Sequence, residues 1–459
     1  MRLLLRGGRI IDPSQHIDEK MDLLIENGKI VKVAKNIYKA KTAAEDTASS
    51  TLKILDLRGK VVVPGLIDMH THLREPGFEY KETIQTGSAA AAAGGFTAVA
   101  CMPNTDPVND SRSVTEFIIS QAVENKLIHV YPVAAISRKS EGTTLSEFWD
   151  LKDAGAVAFS DDGKPVMDSA LMRRALEYAS SLNMTVISHC EDLHLSTGGV
   201  MNEGFVSTEL GLQGIPSMAE EVMVSRDILI AEFTGTPVHI AHVSTMGSVR
   251  LIRDAKARGV RVTAETAPHY FTLTDEAVRK FDVNAKVNPP LRGIEDVTAL
   301  KEGLRDGTID VIATDHAPQA VTDKELEFDY AASGIIGLET ALGLGLKLVS
   351  SGVLSLEELI QKMSTHPARI LNIPGGTLKT GSAADITVID LEHRWTVDRD
   401  QFQSRSRNSP FHGWDIKGKA MMTIVGGDVK YQELCPPERA IKQKRLSCAG
   451  SIMVSLTGS

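Results

Sequence analysis

Cysteine is scarce in this chain. Its 459 residues hold four, Cys101, Cys190, Cys435 and Cys448, with no paired spacing, so neither a disulfide framework nor a thiolate zinc knuckle is indicated. Long apolar runs are missing too, and none reaches the roughly 20 residues that a membrane helix needs. The opening stretch, Met1-Arg2-Leu3-Leu4-Leu5-Arg6-Gly7-Gly8, turns polar too quickly for a secretory signal. Basic residues are outnumbered, 50 Lys and Arg against 59 Asp and Glu, for a net charge of −9. That balance disfavours a nucleic-acid surface and favours solubility. The expectation is a soluble protein of the reducing cytoplasm. One more absence concerns the fold. No glycine-rich phosphate turn follows an early strand, because Gly94-Gly95 precedes the run Phe96–Met102, which counts against an open doubly wound sheet.

What is present is an alternation. Eight apolar, β-branched runs each end in polar residues, with helical stretches between them. The runs are Val61–Asp68, Phe96–Met102, Ile128–Ala135, Ala156–Ser160, Thr185–Ser188, Val238–Ala241, Val260–Ala264 and Asp310–Ala313. Helical patterns cover Ser111–Asn125, Ser169–Leu182, Ser217–Thr234 and Gly247–Arg258. Strands alternating with helices imply parallel pairing, and burial on both faces explains unbroken apolar runs. Eight repeats predict a closed (β/α)8 TIM-type barrel. Short strands also lie at both chain ends, at Leu3–Leu5, Met21–Ile25, Lys29–Val33, Asp385–Asp390 and Thr423–Gly427. The two ends are expected to share a small β-sandwich domain. The organisation read here is residues 1–62 and 379–434 for that domain, 63–378 for the barrel, and a loose tail over 435–459. Ala40 to Thr51 reads as a loose loop, and the small-residue run Ser88–Gly95 as a helix lying close on the barrel.

Barrel chemistry sits at the carboxyl ends of the strands. The run Val61–Ile67 leads into Asp68-Met69-His70-Thr71-His72. Alternation along an extended strand sends His70 and His72 the same way, with Asp68 on the same parity. Neutral imidazoles side by side suit a divalent metal. The other strand ends carry Asn104, Asp161 and Asp162, His189 and Glu191, His242, Glu265 with His269, and Asp315 with His316. Nitrogen and oxygen ligands without thiolates suit zinc, with manganese or cobalt as substitutes. His129, His239, His393 and His412 have no ligand spacing and read as structural. Cys190 follows His189 directly, so alternation turns its thiol away from the imidazole.

The phrases Pro64–Gly77, Met102-Pro103-Asn104-Thr105, His189-Cys190-Glu191-Asp192, Asn288-Pro289-Pro290-Leu291-Arg292, Thr314-Asp315-His316-Ala317-Pro318 and Gly337-Leu338-Glu339-Thr340 resemble those of the amidohydrolase superfamily, and within it class I dihydroorotase. The resemblance covers about residues 3–430. It implies a metal-dependent cyclic amide hydrolase that interconverts N-carbamoyl-L-aspartate and L-dihydroorotate in pyrimidine synthesis. It implies one or two zinc ions per subunit, one held by His70, His72 and Asp315 and a second by His189 and His242. Asp162 would bridge them where many relatives use a carboxylated lysine, with Asp161 as the competing choice. Lys164 reads as a surface or loop residue. A metal-bound hydroxide would attack the ring amide, with Asp315 as general acid and base. Arg74 and Asn104 would bind the substrate carboxylate, and Asn288 the ring. The resemblance also implies a possible homodimer and a possible association with aspartate transcarbamoylase.

One departure stands out. The family places a histidine four residues after the strand-eight aspartate, and this chain has Gln319 there. Glutamine donates a hydrogen bond but carries no positive charge. The charged segment from Gln319 to Ser333 is expected to form a mobile loop over the site, and a residue there to compensate. Two other readings stay open. One is a hydantoinase- or allantoinase-like amidohydrolase. The other is a catalytically impaired paralogue serving as a scaffold for aspartate transcarbamoylase.

Overall fold

The computed structural model describes residues 2–37 and 52–433. The loop expected over Ala40–Thr51 lies outside them, as does the tail from residue 435. Eight strands alternate with helices in the middle of the chain. They are β1 (Leu66–Thr71), β2 (Phe96–Cys101), β3 (His129–Ala134), β4 (Ala158–Phe159), β5 (Thr185–Ser188), β6 (Val238–Ile240), β7 (Val262–Thr266) and β8 (Val311–Ile312). Neighbours in sequence are neighbours in space, and every pair is parallel. The ring closes where Thr71 bridges His316, just past β8, and the His72 N–H donates to the His316 carbonyl at 2.8 Å. Met69, Ala100, Val133, Ala158, Ile187 and Val311, from six strands, join one buried cluster, so the barrel is a filled core. The expected helices appear as Arg112–Asn125, Ser169–Ser181, Met218–Thr234 and Met246–Ala257. No helix among the described residues is long and apolar enough to cross a membrane.

Both chain ends meet in a second, eight-stranded sheet. The strand Val61–Pro64 joins them, pairing parallel with Arg2–Asp12 and antiparallel with Ile386–Thr396. The sheet wraps a core of its own, in which Leu3, Leu23 and Ile30 meet Ile386 and Ile424. The first apolar run is therefore two strands and not one. Val61–Pro64 belongs to the outer sheet and Leu66–Thr71 to the barrel, with the switch at Gly65. There a side chain would be fatal to the turn, since an added Cβ would lie 2.0 Å from Thr97 Oγ1. The seventh strand also sits two residues later than the pattern suggested, so Glu265 lies inside it.

The small-residue run forms most of the helix Ile84–Gly94, capped by the Thr83 hydroxyl on the Thr86 N–H. Ala90, Ala91, Ala92 and Ala93 are buried because the helix lies between barrel and outer sheet. Thr423 of the outer sheet donates its hydroxyl to the Ala92 carbonyl at 2.6 Å, and Thr387 to the Gly95 carbonyl at 2.5 Å. A Cβ at Gly94 would stand 2.1 Å from the Leu338 carbonyl oxygen, a backbone atom that cannot rotate away. Gly94→Ala is expected to cost about 1–3 kcal/mol through overpacking, read as a lower chemical-denaturation midpoint. An unchanged midpoint would contradict this close approach.

Candidate metal centre and active site

Six side chains from five strand ends converge at one rim of the barrel. His70, His72, Asp162, His189, His242 and Asp315 are all buried. His70, His72 and Asp162 present ligand atoms within 4.8 Å of one another, and so do Asp162, His189 and His242. Asp162 is shared by both groups. Its carboxylate lies 3.4 Å from the ring nitrogens of His70, His72 and His189 and 3.2 Å from that of His242. Asp315 Oδ1 is 3.1 Å from His72 Nε2 and 3.7 Å from His70 Nε2. His242 and Asp315 adopt positive φ, +33° and +48°, and so does Arg74 at +66°. L-residues rarely take this conformation, and it persists here because the surroundings over-determine it.

The neighbouring carboxylates are excluded by their partners. Asp161 turns to Ser137, accepting from its N–H at 3.0 Å and from its hydroxyl. Asp68 does not join the cluster. The register slips between Asp68 and Thr71, where three steps along β1 face two along β2. That bulge breaks the parity expected from alternation. The Asp68 carboxylate instead accepts from the Thr314 N–H at 3.1 Å and the Thr314 hydroxyl at 2.5 Å. Burial pushes its pKa up to about 7. Lys164 is exposed. The Cys190 thiol points to Ser188 and Asp227, away from the imidazoles.

The outer nitrogen of three histidines is anchored to an oxygen, and this decides which nitrogen faces inward. His70 Nδ1 meets Glu265 Oε1 at 2.5 Å, His72 Nδ1 meets Asn104 Oδ1 at 2.9 Å, and His189 Nε2 meets Glu191 Oε2 at 3.1 Å. These oxygens only accept, so each outer nitrogen carries the hydrogen and each inner nitrogen can present a lone pair. Such outer partners orient metal-ligating imidazoles. Glu265 also lies 3.3 Å from His239 Nε2, so His239, read from sequence as structural, supports the anchor. The anchoring role of Glu265 was missed in the sequence. Its signal was a carboxylate inside an apolar barrel strand.

The charges balance around a very dry site. Burial alone would raise the pKa of Asp162, but His70, His189 and His242 hold it well below the usual carboxylate range. Burial would depress His189, yet hydrogen bonds to Asp162 and Glu191 hold it up at about 10. Burial works against Asp315 as well, and the His72 hydrogen bond keeps it below its ordinary value. His70 Nε2 is buried without a hydrogen-bond partner, although it faces two carboxylates. A cation with imidazole and carboxylate affinity fits such an unpartnered ring nitrogen.

A cavity of about 430 Å³ opens over this cluster, bounded by His72, Asp162, His189, His242 and Asp315 on one side. Arg74, Asn104, Asn288 and Gln319 all line it. Arg74 donates through Nε to the Pro318 carbonyl at 3.0 Å, and Asn288 Nδ2 donates to Glu191 Oε2 at 2.9 Å. Lys286, Asp329 and Ser333 also line it and had no distinctive spacing in the sequence. The segment 319–334 is tied down by lysines. Lys286 Nζ donates to the Phe328 and Asp329 carbonyls at 2.6 and 3.0 Å, and Lys324 Nζ to the Ala332 and Gly334 carbonyls at 2.8 and 3.1 Å.

Residues 59–248 match the family model described as Dihydro-orotase-like, and residues 229–431 the Amidohydrolase family. The chain is 64% identical over 433 residues to the dihydroorotase of Syntrophus aciditrophicus, covering 94% of this chain and all of that protein. This chain belongs to the dihydroorotase family, within the amidohydrolases. A dihydroorotase of Geobacter metallireducens is 59% identical over 432 residues, again 94% of this chain and all of the relative. Among solved structures, an L-hydantoinase from Arthrobacter aurescens superposes with a TM-score of 0.81 at 25% identity, covering 94% of this chain and 97% of that one. A D-hydantoinase from a Thermus species gives 0.77 at 26% identity, with 94% and 96% covered. Amidohydrolase membership and the two histidine–carboxylate groups together indicate a divalent metal.

Two outcomes test the centre. At neutral pH the metal-free His189 holds its proton, which a metal must displace. Apparent affinity is therefore expected to rise from pH 6 to pH 8, with protons released on binding. Chelator-competition titrations at the two pH values measure it, and an equal or weaker affinity at pH 8 would refute the arrangement. Glu265→Gln removes the charged anchor of His70 and is expected to weaken metal affinity about 10–100-fold in the same titration.

Proposed function

We propose that this chain is a dihydroorotase in the full catalytic sense, interconverting N-carbamoyl-L-aspartate and L-dihydroorotate in pyrimidine synthesis. The observation that carries it is 64% identity to a dihydroorotase along that relative's whole length. The reading assigns zinc to the cluster, with His70, His72 and Asp315 holding one ion and His189 and His242 a second, and Asp162 shared. A divalent ion there supplies Lewis acidity toward the amide carbonyl and lowers the pKa of water.

The chain's own groups do the rest. Asp315 is buried and ionised at neutral pH, so it can take a proton from the attacking water as the carbonyl C–O bond forms. It then gives that proton to the ring nitrogen as the C–N bond breaks, and ring closure runs the steps in reverse. Asn104 has its oxygen occupied by His72, which leaves its amide N–H groups for the substrate carboxylate. Arg74 supplies the cation that pairs with that carboxylate. Asn288 has its nitrogen occupied by Glu191, which leaves its carbonyl oxygen for a ring N–H. The barrel is assigned the chemistry, its expected start at residue 63 moved to Leu66 because Val61–Pro64 pairs in the outer sheet, with the chain before Gly65 and residues 379–434 as the flanking β-rich unit.

The second reading, a hydantoinase-like enzyme, is favoured by the structural likeness alone. Against it, an aspartate occupies the strand-four position and Lys164 is exposed. An impaired scaffold is disfavoured by a complete set of candidate ligands. Purified, metal-loaded protein is expected to turn over dihydroorotate and carbamoyl-aspartate. Turnover of hydantoin or allantoin but neither of those would overturn the substrate assignment. Asp315→Ala is expected to lower kcat by about 10²–10⁴-fold with the fold retained, and a near-native rate would remove Asp315 from the proton transfer.

A further inference from the structure

Gln319 walls one side of the cavity, at the place where the resemblance expects a histidine. Its amide is gripped at both ends. Lys81 Nζ donates to Oε1 at 2.8 Å, Nε2 donates to the Ser333 carbonyl at 2.7 Å, and the backbone N–H donates to Asn408 Oδ1 at 3.1 Å. An ammonium has donors only. The amide atom facing Lys81 must therefore be oxygen, which settles the orientation chemically and turns the nitrogen away from the lysine. That nitrogen carries two hydrogens, and Ser333 uses one.

Lys81 does not touch the cavity itself. Its side chain is 16% exposed and ion-pairs with Asp323 at 3.0 Å. Its ammonium also lies 5.6 and 5.5 Å from the ring centroids of Phe78 and Tyr80. Three partners from two segments thus hold one cation directly behind the cavity wall. Asp323 cancels most of its long-range field, so its reach into the cavity runs through the amide that it orients and polarises. Without Lys81, the Ser333 carbonyl alone would hold the amide, leaving its second N–H less firmly aimed and less polarised.

We propose that Lys81 is a positioning residue for substrate: with the Ser333 carbonyl at the other end, it clamps and polarises the Gln319 amide so that an N–H faces the carboxylate of dihydroorotate or carbamoyl-aspartate. The lock takes the place of the histidine that the resemblance expects at 319. The proposal rests on the dihydroorotase reading above.

Steady-state kinetics of the metal-loaded full chain with L-dihydroorotate test it. Lys81→Met is expected to raise KM about tenfold, the effect of one weakened hydrogen bond to a charged group, with kcat within about twofold and bound metal unchanged. Lys81→Arg, which keeps a cationic donor, is expected to restore most of the loss. In a Gln319→Met background, Lys81→Met is expected to add nothing further, because no amide remains to orient. A KM for Lys81→Met within twofold of native overturns the proposal, and so does an equal effect in the Gln319→Met background. If Lys81→Met does not fold, Lys81→Gln is judged by the same two criteria. A native protein that turns over neither substrate sinks the dihydroorotase reading itself. An active native protein with an indifferent Lys81 sinks only this one.

Discussion

A carboxylate with almost no access to water governs this molecule. An isolated buried anion is so costly that a group of this kind normally takes up a proton. Asp162 stays ionised because imidazoles from β1, β5 and β6 surround it at 3.2–3.4 Å. Each element that carries one of them must therefore end at the same rim. The barrel meets that demand because parallel strands in a closed ring bring all their carboxyl ends together. The anion that holds protons on the imidazoles also favours a divalent cation in their place.

Around that anion lies a second ring of constraints. Glu265, Asn104 and Glu191 each occupy the outward nitrogen of one imidazole. Their acceptor atoms decide which nitrogen keeps its hydrogen and which one turns to a ligand, which is preorganisation by hydrogen bonding. The device recurs in the cavity wall, where Glu191 orients Asn288 and Lys81 orients Gln319. Neutral amides in the wall are thus given a direction by a charged residue one layer behind. The outer sheet supports the rim from further away. Its threonines grip the end of the helix Ile84–Gly94, and that helix is built of alanine and glycine because it lies between two layers.

Much of the barrel was legible because burial on both faces leaves a plain mark, an apolar run with a polar end. His70, His72, His189, His242 and Asp315 could be named from that mark together with a family likeness. The failures have local causes. Val61–Asp68 reads as one strand because hydropathy does not register which sheet a buried strand joins, and only the strand pairings reveal the switch at Gly65. Asp68 was grouped with His70 by alternation, which a bulge cancels without any change in composition. The anchoring role of Glu265, and Lys286 and Lys81 altogether, escaped notice because each acts through a partner distant in sequence.

Residue order alone determined the repeating strand–helix phrase, the polar strand ends and the absence of thiolate ligands. Those properties follow from short-range periodicity, which a linear pattern preserves. Tertiary structure alone decided that Asp162 and not Asp161 or Asp68 faces the imidazoles, and that an amide at 319 has a lysine behind it. These choices depend on where side chains from separate strands meet. A carboxylate's partner in space, not its neighbours in the chain, sets whether it serves as a hydrogen-bond acceptor for the scaffold or as an anion open to a cation.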